Sequence, residues 1–193
     1  AVDTVCELID QHHIECELKQ GNLHVASKAR ETAELQAEVE HLPGVYGYEQ
    51  IRYVEQAELR EMTSGQGFHG GTLDSGSRHL HPLKYALGLA QAAADLGADI
   101  YEGSRVLSYT EGDKVRVRTA QGEVSAQYLV LACNGYLEKL EPRTAGRIMP
   151  INNYMLATEP LPEELARRLI RDDTSMSDSL FVIDYWKLSQ DRR

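Results

Sequence analysis

The stretch Tyr128-Leu129-Val130-Leu131-Ala132-Cys133-Asn134-Gly135-Tyr136 decides the fold prediction. Its continuous apolar run, residues 129–131, is typical of a strand that is covered on both faces of a sheet. Small residues and an Asn-Gly pair follow. In open α/β sheets ligands bind beyond the carboxyl ends of strands, where such residues allow close backbone approach. The stretch therefore indicates a central strand that ends in a ligand crevice. A buried strand followed by an ordinary turn is the alternative.

The composition is that of a globular protein with an acidic balance. Of the 193 residues, 42% are hydrophobic and 26% are charged, and 20 Lys and Arg stand against 30 Asp and Glu, a formal net charge of −10. Nucleic acids and anionic membrane surfaces need a basic patch, and no basic run of the required length is present. No apolar run approaches the ~20 residues of a membrane span. Nucleic acid and membrane are therefore disfavoured as partners.

Cysteine usage favours a reducing compartment. Cys6, Cys16 and Cys133 are an odd set with neither a C-x-x-C pair nor the spacing of metal ligands. Reduced thiols in a cytoplasmic protein are the simplest interpretation.

Hydrophobic periodicity predicts a mixed α/β fold in the first half of the chain. The predicted elements are a helix from residue 2, a strand pair within 15–26 turning at 20–22, a helix capped by Ser27 and ended by Pro43, a strand at 48–55, a helix at 57–62, an extended glycine-rich segment at 70–76, a helix from Pro82 to Gly97 and a strand at 99–101. A strand, a helix, a Gly stop and a second strand make half of a βαβ crossover, the unit of a parallel sheet.

The second half predicts an antiparallel meander and then a separate group of elements. Strands are expected at 105–110, 115–119 and 124–133, joined by Gly-containing turns. Beyond Gly146 the pattern predicts a strand at 148–158, a helix after Pro162, a polar loop at 172–179 and a strand at 180–188.

One motif match is rejected on its context. Gly65-Gln66-Gly67-Phe68-His69-Gly70 has the letters of G-x-G-x-x-G. A dinucleotide fingerprint needs a strand before it and a helix opening within it, whereas here a predicted helix precedes and an extended segment follows. We interpret these residues as a loop.

Other kinds of site have weak support in the sequence. The candidate metal ligands are His69, His79 and His81. Neither a helix-based His pair nor an acidic ligand motif accompanies them, so polar or pocket-lining histidines are favoured. Ser75 and Ser77 lack the G-x-S-x-G elbow of a hydrolase. Cys133 has no cationic neighbour in the sequence that would lower its pKa, so a small apolar residue at a strand end is favoured over a nucleophile. Tyr185 and Trp186 suit either a core or a pocket.

Several segments occur together in an order that resembles a known family. They are residues 68–74, His81-Pro82 with 97–100, 104–106, 117–122 and 128–136. In this order they resemble the D-amino-acid-oxidase-like superfamily of FAD-dependent amine oxidoreductases, which includes glycine and sarcosine oxidases. Residues 133–138, 150–160 and 184–188 look most similar to its γ-glutamylputrescine oxidoreductase branch, which serves putrescine catabolism. The resemblance covers essentially the whole chain and is strongest over 68–137.

The resemblance implies a fold and a set of site residues. It implies a FAD-binding βαβ domain with an antiparallel meander (68–146), interleaved with a substrate domain built on an antiparallel sheet (1–67 and a truncated 147–193). Arg105 and Val106 would lie along the adenosine side of FAD. Beside the dinucleotide would lie Ala132, Cys133, Asn134 and Gly135, with Tyr136 just behind. Tyr185 matches a position near the substrate, above the flavin ring. No catalytic acid or base is implied.

Parts of the family pattern are missing from the sequence. Neither the N-terminal strand, Gly-rich turn and helix that bind the pyrophosphate nor the C-terminal glycine-rich segment is present. The chain also starts without Met, and residues 184–193 read as a strand and turn without a return strand. We therefore expect a piece of a longer protein that alone binds FAD weakly or not at all and does not turn over.

The resemblance also implies a reaction for the whole protein. A hydride passes from the carbon that bears an amine to FAD, and the imine hydrolyses to an aldehyde. Two alternatives stay open, a non-amine FAD-dependent dehydrogenase or hydroxylase and a cofactor-free binding module.

Overall fold

The computed structural model describes residues 1–193 and contains both helices and strands, as the sequence predicts. The helices are α1 (Val2–Gln11), α2 (Thr32–Tyr46), α3 (Gln56–Met62), α4 (Pro82–Asp95), α5 (Pro142–Ala145) and α6 (Glu163–Leu169). The strands are β1 (Lys19–Val25), β2 (Ile51–Glu55), β3 (Gly70–His79), β4 (Val106–Thr110), β5 (Val115–Thr119), β6 (Glu123–Ala126), β7 (Ser175–Asp178) and β8 (Tyr185–Trp186). None of the helices has the length and apolar character needed to cross a membrane.

The chain forms two compact units. We call residues 1–97 with 157–193 the sheet unit, and residues 98–156 the meander unit. The assignment of 1–67, 68–146 and 147–193 to substrate and FAD-binding parts stays a prediction.

The sheet unit is built on five strands in the order β2-β3-β1-β7-β8. β1 is central and pairs antiparallel with β3 and parallel with β7, so the sheet is mixed rather than wholly antiparallel. The hairpin predicted within 15–26 is wrong. Gly21, with φ +99°, interrupts the register of β1 between Gln20 and Asn22 instead of turning the chain. Pairing with two distant strands satisfies the backbone better than a local hairpin could.

One face of this sheet carries the main core. Leu23 and Val25 of β1 and Met176 of β7 are buried there, and Ala166 and Ile170 of the α6 region cover them. Trp186 stacks on Phe68 at the edge of the same core, with ring centroids 6.2 Å apart. A smaller core joins α1 and α4 around Ile9, Ile14 and Cys16.

The predicted helices of this unit form for local reasons. The apolar spacing over Val2, Val5 and Ile9 gives α1, and Pro82 occupies the first turn of α4, where its missing N–H costs nothing. α2 differs from its prediction, because it continues through Pro43 and ends at Gly47 in the left-handed conformation.

The meander unit confirms two predicted strands and corrects a third. β4, β5 and β6 form an antiparallel sheet in that order. The strand predicted over 124–133 ends at Ala126. Residues 128–132 make no backbone hydrogen bond within the chain. A strand needs a neighbour on at least one edge, and no other segment of this chain lies alongside.

Three more strand predictions are wrong. Residues 99–101 and 148–158 are irregular, so the half βαβ crossover lacks its second strand. The residue types in these two segments favour a strand, but without a neighbouring strand they have no backbone hydrogen-bond partners. Conversely, β7 lies in the predicted polar loop, and the strand predicted over 180–188 shrinks to β8. Ser175 and Ser177 of β7 lie on the sheet face opposite the core, where Ser177 is buried.

His79 is a buried titratable group near the end of β3. Its side chain is 8% exposed, and its Nε2 donates to the backbone carbonyl of Asp173 at 3.1 Å. Its Nδ1 has no hydrogen-bond partner. Burial and then the nearby Lys187 ammonium lower the pKa of His79. Protonation of Nδ1 would place a buried N–H donor without a partner near the ammonium groups of Lys187 and Lys19.

This arrangement predicts that the protein loses stability as the pH falls through about 6.5. The unfolded His79, with an ordinary pKa of about 6.5, takes up a proton that the folded form resists. The stability that the protein gains from keeping His79 neutral should therefore be complete above the unfolded pKa. The free energy of unfolding should decrease as the pH falls from there toward the lowered folded pKa. Urea unfolding, followed by the fluorescence of the single tryptophan, measures it.

The variant His79→Gln should flatten this pH dependence, since Gln retains a donor for the Asp173 carbonyl and does not titrate. His69→Gln, at an exposed loop position, is the matched control and should keep the wild-type slope. A wild-type slope in His79→Gln would show that another group causes the acid sensitivity.

Candidate functional site

Two side-chain contacts hold the predicted cofactor segment against β4 in the meander unit. Arg105, immediately before β4, forms an ion pair with Glu138. Tyr109 of β4 donates to Glu141 at 2.5 Å, and Glu141 in turn accepts from the backbone N–H of Arg143 at the start of α5. The hydrogen bond from Tyr109 lowers the pKa of Glu141. Residues 133–141 are thus tied to the strand that begins with Val106.

The segment itself turns sharply between its two anchors. Residues Asn134–Leu137 form one 3₁₀ turn, with Asn134 at φ +49° and the N–H of Tyr136 donating to the carbonyl of Cys133 at 3.0 Å. Leu137 is buried and fixes the turn, whereas Tyr136 is 89% exposed. The structure therefore brings Arg105 and the 133–138 turn together, as a shared binding surface requires.

The chemistry of this surface fits a dinucleotide. The backbone N–H groups of Ala132 and Cys133 have no partner within the chain, and they can donate to phosphate or carbonyl oxygens. A Cβ added to Gly135 would meet only the Cβ of Pro150, at 4.0 Å, so the space beside this residue is open. Free donors beside small side chains allow close approach of a cofactor. The roles of these residues stay predictions.

Tyr185, the predicted substrate residue, lies in the sheet unit on the face opposite the core. Side chains alternate between the two faces of a strand. Trp186 points into the core, so Tyr185 points away from it and is 71% exposed. By the same alternation His24 lies opposite Val25, and Ser177 lies opposite Met176. We call the face that carries Tyr185, His24 and Ser177 the polar face.

Cross-strand pairing aligns five side chains in one row across the polar face. Tyr53 pairs with Thr72, Thr72 with His24, His24 with Ser177, and Ser177 with Tyr185. α2 packs on β2 and β3. α2 therefore covers this end of the row. Over β1 and β8 the row remains accessible, with His24 half-buried and Tyr185 exposed, whereas Ser177 of β7 between them is buried.

Hydrogen bonds connect the polar side chains of β1 and β7. Asn22 Nδ2 donates to Ser175 Oγ at 3.0 Å, and Ser175 Oγ donates to the backbone carbonyl of Gly21 at 3.1 Å. Ser177 Oγ lies 2.9 Å from His24 Nδ1 and 3.5 Å from Asn22 Oδ1. These contacts order the middle of the polar face.

A second polar group lies beside this network. Asp74, paired with Asn22 in the sheet, accepts from the hydroxyls of Tyr48 and Ser77 and from the backbone N–H of Gly76. Burial opposes ionisation of Asp74, but these hydrogen bonds outweigh it and lower its pKa. Burial and the Asp74 carboxylate raise the pKa of Tyr48 to about 12. Asp74 is therefore a satisfied carboxylate that fixes the turn at Gly76.

The structure gives the remaining candidate residues local roles. Residues 65–69 lie in the loop between α3 and β3, and Gly70 begins β3, which confirms that the motif is no dinucleotide fingerprint. His81 accepts from the N–H of Lys84 as the cap of α4, and no three His, Cys, Asp or Glu side chains lie together as a metal site. Two surface depressions, about 460 and 480 Å³, lie beside α4 and beside the 65–69 loop. Neither includes a predicted cofactor or substrate residue.

Sequence reasoning missed four residues of the polar face, namely Asn22, His24, Ser175 and Ser177. The alternation of Asn22-Leu23-His24-Val25 was a usable signal, because polar and apolar residues exchange at every step. For Ser175-Met176-Ser177 the run is too short and too polar to predict a strand.

Comparison with known proteins identifies relatives over the whole chain. The family model described as "DAO: FAD dependent oxidoreductase" matches residues 1–192. "Probable oxidoreductase OrdL" of Rhizobium meliloti (strain 1021) is 35% identical over 188 residues, 95% of this chain and 43% of that protein. "Gamma-glutamylputrescine oxidoreductase" of Escherichia coli (strain K12) is 34% identical over 192 residues, 99% of this chain and 45% of that protein. The chain thus spans less than half the length of these relatives.

Solved structures share the fold. L-proline dehydrogenase from P. horikoshii superposes with a TM-score of 0.73 at 15% identity, over 99% of this chain and 52% of its own. Glycine oxidase from Geobacillus kaustophilus gives a TM-score of 0.63 at 23% identity, over 74% and 39%. The likeness confirms the predicted fold class.

The open space at Gly135 predicts an effect on cofactor binding that is separate from folding. In the whole protein, Gly135→Ala should leave the melting temperature of the apoprotein within about 2 °C, because the added methyl meets nothing closer than 4.0 Å. If residues 132–135 run beside FAD, the methyl occupies cofactor space and should weaken FAD binding by roughly tenfold or more. Fluorescence titration of apoprotein with FAD measures this.

Gly122→Ala is the matched control in the same unit, since a Cβ there also meets no atom within 4 Å. It should leave FAD affinity unchanged. Equal FAD affinity in Gly135→Ala and wild type would remove residues 132–135 from the cofactor site.

Proposed function

This chain belongs to the DAO family of FAD-dependent oxidoreductases, and from that premise we propose that the whole protein oxidises a small amine to an imine, which hydrolyses to an aldehyde. The observation that carries the proposal is the 34% identity to the Escherichia coli gamma-glutamylputrescine oxidoreductase over 99% of this chain. A γ-glutamylputrescine-like or amino-acid-like amine is the proposed substrate class. The three free thiols fit a reducing compartment, and we propose a cytoplasmic one.

The two units contribute different parts to this function. In the meander unit, Arg105, Val106 and residues 132–135, with Tyr136 behind them, would hold FAD through backbone donors, a guanidinium and small side chains. In the sheet unit, Tyr185 would border the substrate. The remaining cofactor contacts would come from outside residues 1–193. Tyr128, Val130 and Tyr136 are at least 84% exposed, in keeping with further packing in the whole protein.

FAD, when bound, supplies the acceptor for the hydride of the amine-bearing carbon. The residues of this chain would bind FAD and the amine and orient them. The aromatic ring of Tyr185 offers an apolar and cation-attracting surface to an alkyl amine. The polar face offers hydrogen-bonding groups to the nitrogen end.

An anaerobic titration of the whole flavoprotein tests the proposal. We expect γ-glutamylputrescine or a related amine to bleach the flavin absorbance near 450 nm, and peroxide to appear if oxygen is the acceptor. Alcohols and hydroxy acids of matched length should leave the spectrum unchanged. Reduction by those compounds alone would favour a non-amine dehydrogenase or hydroxylase. A whole protein that purifies without flavin and does not bind it would favour a binding module.

The isolated 193-residue chain provides the comparison. It should purify colourless and show no amine-dependent peroxide formation, because it spans 43–46% of its curated relatives. Stoichiometric yellow flavin on the isolated chain would contradict the expectation that the other contacts are needed.

A further inference from the structure

We propose that His24 binds the nitrogen end of the amine substrate, with its Nε2 lone pair accepting an N–H hydrogen bond, and that Asn22, Ser175 and Ser177 hold it in the tautomer that makes this possible. The inference rests on the proposed function and names the binding group within that site. It follows from the hydrogen bonds on the polar face, where each hydroxyl has a single proton to give.

The direction of the hydrogen-bond chain is fixed at one end by a backbone carbonyl. The carbonyl of Gly21 can only accept, so Ser175 must donate its proton there, at 3.1 Å. Ser175 Oγ can then only accept from Asn22, at 3.0 Å, and this places the Asn22 amide nitrogen toward Ser175. The Oδ1 atom of Asn22 is thereby turned toward Ser177.

The chain of hydrogen bonds continues to the histidine. Asn22 Oδ1 can only accept, and the Ser177 hydroxyl faces it across a long contact of 3.5 Å. With the Ser177 proton directed to Asn22, Ser177 Oγ accepts from His24 Nδ1, which lies 2.9 Å away. A neutral imidazole carries one proton, so a protonated Nδ1 leaves Nε2 with a free lone pair. No protein atom hydrogen-bonds this nitrogen.

The surroundings of His24 suit a small amine. α2 covers the row of side chains on the β3 side, whereas Tyr185 on β8 leaves it open on the other. His24 and Tyr185 are two strands apart, roughly 10 Å at the usual spacing of paired strands. An amine substrate could donate its N–H to His24 Nε2 and extend its carbon chain toward the Tyr185 ring, so that it contacts both residues. Carboxylates and phosphates lack a proton to give, so they would find no partner at Nε2.

Steady-state kinetics of the whole flavoprotein test the binding role. His24→Leu, which removes the acceptor, should raise the KM for the amine about 10- to 100-fold with kcat little changed, as expected for the loss of one hydrogen bond to a charged group. Ser177→Ala frees Nδ1 and should also raise KM, whereas Ser177→Thr keeps a hydroxyl and should restore it. Flavin content and melting temperature should stay at wild-type values, which a merely structural role would not allow.

His41→Leu is the matched control, because His41 is exposed on α2 away from the row. Selective ¹⁵N labelling of histidine gives a second readout. The resonances lost in His24→Leu identify His24, and in wild type they should report a protonated Nδ1 and an unprotonated Nε2. Ser177→Ala should shift this population toward protonated Nε2.

Each outcome decides the proposal. An unchanged KM in His24→Leu, while the wild type reacts with the amine, would overturn the role of His24 and leave amine oxidation intact. A wild-type His24 protonated at Nε2 would overturn the hydrogen-bond direction. A wild-type flavoprotein that no amine reduces would overturn the proposed function, and this inference with it.

Discussion

The parallel pairing of β1 with β7 is the contact on which the sheet unit depends. It joins residues 22–25 to residues 175–178 and makes β1 a central strand with partners on both edges. Leu23 and Val25 are at most 1% exposed and contact the same core as Met176, Ala166 and Ile170. Without β7 the core that the α6 segment covers would lose Met176, and β8 would lose its only strand neighbour. The same pairing aligns His24 with Ser177. The β1–β7 contact therefore both holds the sheet together and arranges the polar face.

The sequence predicted elements whose signals are local. α1 follows from apolar spacing, α4 from Pro82 at its start, and β4 with β5 from alternation around a Gly turn. The sequence failed where pairing is long-range. Gly21 looked like a hairpin turn because a bulge and a turn both favour glycine, and only the distant partners β3 and β7 distinguish them. β7 was interpreted as a loop because Met176 is its only apolar residue.

Residues 128–132 show the converse failure. Their apolar character is that of a central strand, yet within this chain they pair with nothing, and Tyr128 and Val130 are largely exposed. The sequence thus showed the apolar character of these residues. A strand also needs a second segment with which to form hydrogen bonds, and the sequence of one segment does not show this. Cofactor residues 132–135 were predicted from the resemblance and from their small side chains. The polar face required coordinates, because its members lie on separate strands and come together only by register.

We propose that this chain supplies both a cofactor surface at residues 132–135 and a substrate surface on the polar face. A crystal structure of the whole flavoprotein with a non-reacting amine analogue would show both surfaces at once. We expect FAD to contact residues 132–135 and the analogue to lie over β1, β7 and β8 between His24 and Tyr185. FAD placed away from residues 132–135, or a polar face covered by protein with the analogue elsewhere, would contradict it.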